Sequence, residues 1–336
     1  MSAVQQKIPA SANPLDILQE SMATDMQAVN EMIIAHMQSD VPLIPQLASY
    51  LIAAGGKRIR PLLTLSCTVL FKGEMSRAHQ LAACVEFIHT ATLLHDDVVD
   101  DSDERRGRQS ANVIFGNEAS VLVGDFLFSR AFQLMVADGS LDVLKILSDA
   151  SAIIAEGEVL QLSAQNNLDT SIDDYKAVIE GKTASLFAAA CEVGPVIANQ
   201  DKATISTMRD YGMNLGMAFQ IIDDVLDYSA CQEKLGKAVG DDFREGKMTA
   251  PVLIALEKAT PEELEFWQRT IGDKNQTDKD LETAKSIITR HDGLKLGIDM
   301  AHSYGEKAIS ALAPLPETSL KETLINLVSF TLNREY

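Results

Sequence analysis

No proline stands between Leu62 and Gly194, the longest proline-free stretch of the chain. Proline removes a backbone donor and clashes with the preceding helical turn, so this stretch is open to long helices. Its apolar residues recur at three- and four-residue spacing, as in Leu81, Cys84, Val85, Ile88, Ala91 and then Val98. That is the period of helices buried on one face, and no segment alternates long enough to demand a sheet. The expected fold class is all-α, a single-domain bundle of roughly ten or more helices.

The expected helices are 15–38, 42–54, 59–72, 75–101, 118–137, 141–165, 171–179, 181–198, 202–228, 248–258, 261–271, 277–290, 295–312 and 317–332. Thr260-Pro261-Glu262-Glu263 carries the start signal of one of them, a capping hydroxyl followed by proline and acids. Residues 1–13 read as disordered and 14–336 as the one domain. The polar, glycine-bearing stretch 229–246 is the longest candidate internal loop, and a loop of that length in a compact body is usually functional.

A net charge of −19 and a pI near 4.7 argue against nucleic acid as a partner. Cys67, Cys84, Cys191 and Cys231 are far apart, which suggests neither a disulfide framework nor a zinc site and fits a cytoplasmic protein. The longest apolar run, 184–198, is interrupted by Glu192, Gly194 and Pro195 and falls short of the roughly 20 residues a bilayer span needs. Transient membrane contact stays open; an integral membrane protein is not expected.

Asp96-Asp97-Val98-Val99-Asp100 follows the apolar run 91–94. On a helix, positions four apart share a face about 6 Å apart along the axis, so Asp96 and Asp100 repel each other unless a cation intervenes. Magnesium suits the task, since it takes oxygen ligands, keeps waters and commonly joins one or two carboxylates to a substrate phosphate. The same spacing returns 127 residues later, in Asp223-Asp224-Val225-Leu226-Asp227, again behind an apolar run. Two such helices facing a shared cavity would hold a metal cluster suited to a diphosphate.

Basic residues gather at Gly55-Gly56-Lys57-Arg58-Ile59-Arg60-Pro61 and at Glu104-Arg105-Arg106-Gly107-Arg108, where arginine forks would meet phosphate oxygens. Gly181-Lys182-Thr183 is expected to open a helix and offer another anion site. It is not a P-loop, because Lys176 stands in place of the required glycine and no strand precedes it. Singly, each acidic or basic run reads as a solvated face, His89 as a core histidine and His95 as a structural neighbour of the motif. His36, His79, His291 and His302 are expected at the surface. Glu86-x-x-His89 is half of a di-iron pattern whose second half is missing. The conjunction of the motifs in one helical chain favours chemistry.

GGKRIRP, LLHDDVVDDSDERRG, GKT, QIIDDVLDY and GKMTAP occur in that order between Gly55 and Pro251. In these residues the sequence resembles the trans-isoprenyl diphosphate synthases, and among them the long-chain polyprenyl type that makes quinone side chains. The resemblance implies an all-α fold around a deep central cavity, a homodimer, and two or three Mg²⁺ ions held by Asp96, Asp97, Asp100, Asp223, Asp224 and Asp227. It implies that Arg105, Lys182, Thr183, Gln220, Lys237 and Lys247 hold an allylic diphosphate. Lys57, Arg60, His89 and Arg106 would bind isopentenyl diphosphate. The implied reaction is ionisation of the allylic C–O bond, alkene attack on the allylic cation and proton loss. Short-chain members carry bulky aromatics one turn before the first motif, where this sequence has Ala91 and Thr92, so a long product is expected. The competing readings are a short- or medium-chain synthase, a terpene cyclase, which needs no second diphosphate pocket, and a non-catalytic metal-binding helical scaffold.

Overall fold

The computed structural model describes residues 13–53, 55–105, 107–229 and 240–334. The chain is helical nearly throughout. Helix α1 (Pro14–Ser21) starts on Asn13, whose Oδ1 accepts from the Leu15 N–H at 2.9 Å. It does not run on to residue 38 as expected. The chain leaves helical geometry at Met22, whose side chain is buried, and restarts as α2 (Ala23–His36). After α3 (Leu43–Ala53) and α4 (Ile59–Leu70) comes α5 (Met75–Val99), which carries the first aspartate motif in its last turn and cap. Asp101, at φ 51°, takes the left-handed conformation that turns the chain out of the helix.

Glu104–Arg105 and Arg108–Gln109 form a two-residue antiparallel ladder, Glu104 opposite Gln109 and Arg105 opposite Arg108, and Gly107 beside it has φ 72°. This is the one departure from all-helical structure among the described residues, and it is too short to read as an alternating pattern. Then follow α6 (Ala111–Phe115), α7 (Asn117–Asp138), α8 (Leu141–Ala164) and α9 (Ile172–Ile179). Helix α9 opens with a capping box between Ser171 and Asp174.

Gly181-Lys182-Thr183 does not open a helix. It lies in a π-turn, Glu180–Ala184, that joins α9 continuously to α10 (Ser185–Ile197), so its backbone N–H groups are not a helix terminus. The turn is pressed against α8: a Cβ on Gly157 would lie 2.6 Å from the Lys182 nitrogen. Gly157→Ala therefore has to push α8 off this turn. We expect a loss of about 1–3 kcal/mol in stability by thermal melting and reduced turnover, since Lys182 moves with the turn.

Helix α11 (Lys202–Ser229) ends in the second aspartate motif. After it come α12 (Asp241–Glu245), α13 (Ala250–Leu256), α14 (Pro261–Trp267), α15 (Asp280–Arg290), α16 (Gly293–Ala311) and α17 (Ser319–Leu332). The capping box expected at Thr260 is present, with Glu263. A short helix, α12, occupies part of the stretch read as a loop, and the loop's first half lies outside the described residues, as do residues 1–12 of the segment read as disordered.

Helix α5 packs on α4 and α7, and α10 fits between α4, α8 and α11. Glycines allow the closest crossing, since a Cβ on Gly212 of α11 would sit 2.5 Å from the Phe187 carbonyl of α10. The core forms two apolar clusters, and α11 belongs to both: Met208, Tyr211 and Leu215 to one, Met217, Ile221 and Tyr228 to the other. His79 and His291, expected at the surface, are half-buried and paired, His79 Nε2 at 2.8 Å from Asp25 and His291 Nε2 at 2.7 Å from Glu263. His36 is also half-buried, and His302 is exposed. By length and composition α7 is apolar enough to cross a membrane, yet one of its faces packs on α5.

Candidate active site

A cavity of about 560 Å³ opens where the C-terminal ends of α5 and α11 come together, and it gathers both aspartate motifs. Asp96 and Asp100 line it from α5, Asp223, Asp224 and Asp227 from α11. Helical geometry separates the roles within each motif, because residues four apart project together while the next residue turns about 100° away.

Asp97 accordingly faces away from the cavity: it is 1% exposed, and its Oδ1 accepts from Arg105 Nε at 2.6 Å. Burial pushes its carboxyl above the usual range, and Arg105 pulls the other way. Asp224 reaches the cavity edge but is 5% exposed, with Tyr175 donating to Oδ2 at 2.6 Å and Gln220 to Oδ1 at 2.8 Å. Burial, reinforced by Asp242, holds it well above the ordinary carboxylate range. The resemblance implied that Asp96, Asp97, Asp100, Asp223, Asp224 and Asp227 all hold metal. The structure turns the outer aspartates to the cavity and engages the middle one of each motif with protein donors.

Cations interleave with these acids. Lys182 Nζ lies 2.6 Å from Glu158 and 3.4 Å from Asp96, and its pKa is raised because Asp96 and Glu158 outweigh the effect of burial. Glu158 is itself pushed up to about 7, chiefly by burial and by Asp96. Lys247 reaches Asp100 at 3.1 Å and also pairs with Glu245; against burial, Asp242 and Asp100 raise its pKa. Thr183 donates to Gln220 Oε1 at 2.9 Å. Across the cavity, Arg60 lies over the Phe187 ring at 4.4 Å with its Nη1 3.4 Å from His89 Nε2. Lys57 has a lowered pKa, from burial and then from Arg334, partly offset by Asp223.

The sequence-derived residues Lys57, Arg60, His89, Thr92, Arg105, Lys182, Thr183, Gln220 and Lys247 thus share one cavity. Ala91, expected to set product length, is fully buried and does not line the cavity, and Arg106 and Lys237 lie outside the described residues. His95 docks α5 on α7, its Nε2 3.1 Å from the Val121 carbonyl and its ring stacked on Phe128.

Four residues of the site were missed. Glu158 and Asp242 had a signal: the first stands in a polar pair with Gln161 on an apolar helix, the second in the stretch already judged functional. Tyr175 and Arg334 had none. Arg334 comes from the chain's end, 3.3 Å from Asp223 and 4.2 Å above Phe219.

Eight carboxylates and seven lysine or arginine side chains line the cavity among the described residues. That near balance leaves the charge of an entering diphosphate to be met by a divalent cation. Among the described residues no three acidic, histidine or cysteine side chains are close enough to hold a metal by themselves. Two carboxylate walls with space between them suit ions that complete their coordination with phosphate oxygens, so the residues fit magnesium accompanying its substrate.

Residues 41–288 match the polyprenyl synthetase family. The chain belongs to the polyprenyl synthetase family. Like that family it is a prenyltransferase, a polyprenyl diphosphate synthase. It is 45% identical to an octaprenyl diphosphate synthase of Haemophilus influenzae, over 96% of this chain and 98% of that one. Among solved structures, a polyprenyl synthase from Caulobacter crescentus, complexed with calcium and isoprenyl diphosphate, is 50% identical with a TM-score of 0.93, covering 97% of this chain and 99% of that one. A decaprenyl diphosphate synthase from Rhodobacter capsulatus is 49% identical with a TM-score of 0.91, covering 96% and 100%.

Proposed function

We propose that this cavity binds an allylic diphosphate between Asp96 and Asp100 on one side and Asp223 and Asp227 on the other, and adds isopentenyl units to it head-to-tail. The chain is a trans-polyprenyl diphosphate synthase of the long-chain, octaprenyl or decaprenyl type. The observation that carries the site assignment is the convergence of both motifs on one cavity.

Asp96, Asp100, Asp223 and Asp227 would hold two or three Mg²⁺ ions; bound there, the metal supplies Lewis-acid charge for the diphosphate. Asp97 and Asp224 act from behind, the first by fixing Arg105 and the second by fixing Gln220. Lys182, Lys247, Arg105, Thr183 and Gln220 neutralise and orient the leaving diphosphate, with Lys237 from the neighbouring segment. Lys57, Arg60, His89 and Arg106 seat the isopentenyl diphosphate so that its alkene faces the allylic C1.

The allylic C1–O bond breaks, its electrons leaving with the diphosphate, and the isopentenyl C4 bonds to C1. The proton lost from isopentenyl C2 passes to the departed diphosphate. Preorganised charge at the leaving group is the main catalytic term.

Residues 14–336 act as one domain, a reading supported by α11, which runs through both core clusters. The free, buried thiols of Cys67, Cys84 and Cys191 support the cytoplasm as its compartment. A homodimer is supported by the apolar residues exposed on α7 and α8, Leu122, Val136, Leu141 and Val159 among them, which a second copy would cover.

The test is diphosphate release from an allylic substrate with Mg²⁺, with and without isopentenyl diphosphate. Release that requires both substrates is expected. Release from the allylic substrate alone, or no release with both, would overturn the assignment of two diphosphate subsites to this cavity.

A further inference from the structure

The turn that presents Lys57 is built on left-handed backbone: φ is 69° at Gly55, 149° at Gly56 and 49° at Arg58. Glycine takes such angles without steric conflict, but at an arginine the Cβ crowds the neighbouring carbonyl. Arg58 nevertheless starts α4, its carbonyl accepting from the Leu62 N–H at 3.1 Å. Its guanidinium is anchored, Nη1 at 2.9 Å from Glu86 Oε1, with the two side chains only 17% and 11% exposed.

Glu86 comes from the middle of α5, at the rim of the basic half of the cavity. A carboxylate there repels an entering diphosphate, so it weakens the subsite unless it serves another end. On the next turn of the same helix His89 meets Arg60, and further along stand Asp96 and Asp100. One rigid helix thus carries the anchor of the basic turn and the first acidic wall, with about 15 Å of axial rise between Glu86 and Asp96.

We infer that Glu86 is a positioning residue for the second substrate. Through Arg58 it holds the left-handed turn that aims Lys57 and Arg60, and its place on α5 sets the distance between the two diphosphate subsites. The inference rests on the assignment of Lys57 and Arg60 to isopentenyl diphosphate.

Its test is the separate KM for each substrate, kcat and the melting temperature of the full-length enzyme and four variants. Glu86→Ala and Arg58→Gly are expected to raise the KM for isopentenyl diphosphate by roughly tenfold or more, leaving the allylic KM within about twofold. Glu86→Gln, which keeps an acceptor for Arg58, should recover part of the loss. Arg58→Gly separates the readings, because glycine relieves the backbone conflict. A melting temperature equal to or above wild type together with a raised KM supports positioning, whereas an unchanged KM overturns it. Equal rises in both KM values for Glu86→Ala also overturn it. Lys57→Ala is the control: if it raises the isopentenyl KM while Glu86→Ala does not, the positioning inference alone falls. If Lys57→Ala leaves that KM unchanged, the subsite assignment falls and takes the inference with it.

Discussion

Asp223→Ala and Asp96→Ala are each expected to lower kcat by about a hundredfold to a thousandfold while the melting temperature stays within a few degrees of wild type. Both carboxylates face the cavity, and their nearest cations, Arg334 at 3.3 Å and Lys182 at 3.4 Å, are at its edge as well. Removing either aspartate takes away a wall of the proposed metal site and no part of the core. Asp224→Ala should behave differently. It strips the acceptor from Tyr175, which is fully engaged with it in the interior, and an orphaned buried hydroxyl costs about 1–3 kcal/mol. Steady-state rates paired with thermal melts separate the cases: Asp96 and Asp223 should lose rate at unchanged stability, Asp224 both. Near-wild-type rates for Asp96→Ala or Asp223→Ala would remove the metal from the account.

The second large effect is on product length. In the proposed site, a chain growing from a diphosphate at Asp96 would extend along α5 toward Thr92, which lines the cavity, as do Phe187 and Phe219. Ala91, its neighbour on α5, is fully buried in the apolar core and does not line the cavity. Tyrosine at Thr92 enters the cavity directly, and tyrosine at Ala91 displaces the side chains packed around it, so Thr92→Tyr and, less directly, Ala91→Tyr should move the main product from long chains to short ones. Because Ala91 is packed on all sides, its substitution also overpacks the core, at about 1–3 kcal/mol, whereas Thr92→Tyr projects into open volume. Chromatography of the products, run beside a melting curve, reads both effects. An unchanged product length in both variants would place the growing chain on another path.

The helices were legible because burial on one face writes a period into the sequence, and the ends of α5 and α11 fell within about two residues of their expected places. Met22 was not legible: the chain leaves helical geometry there with no proline, glycine or change of period to mark it. The GKT turn was misread for a related reason. Glycine, lysine and threonine suit a helix start, and only the close crossing of Gly157 shows that the helix runs through as a π-turn.

At the site, residue types and spacing identified the two acidic walls and the basic cluster. The distinct place of Asp97 was implicit in 100° per residue, but deciding which aspartate faces the cavity requires knowing where the cavity lies. Arg334 depends on how α17 docks the chain's end beside α11, a tertiary contact with no local signature.

The central claim is that both acidic walls are needed to capture one diphosphate through divalent ions. Calorimetric titration with a non-hydrolysable allylic thiodiphosphate, with and without Mg²⁺, tests it most directly in the wild-type enzyme and in Asp96→Ala and Asp223→Ala. Tight binding that requires Mg²⁺ in the wild type and is lost in each variant is predicted. Metal-dependent binding that survives the loss of either wall would contradict it.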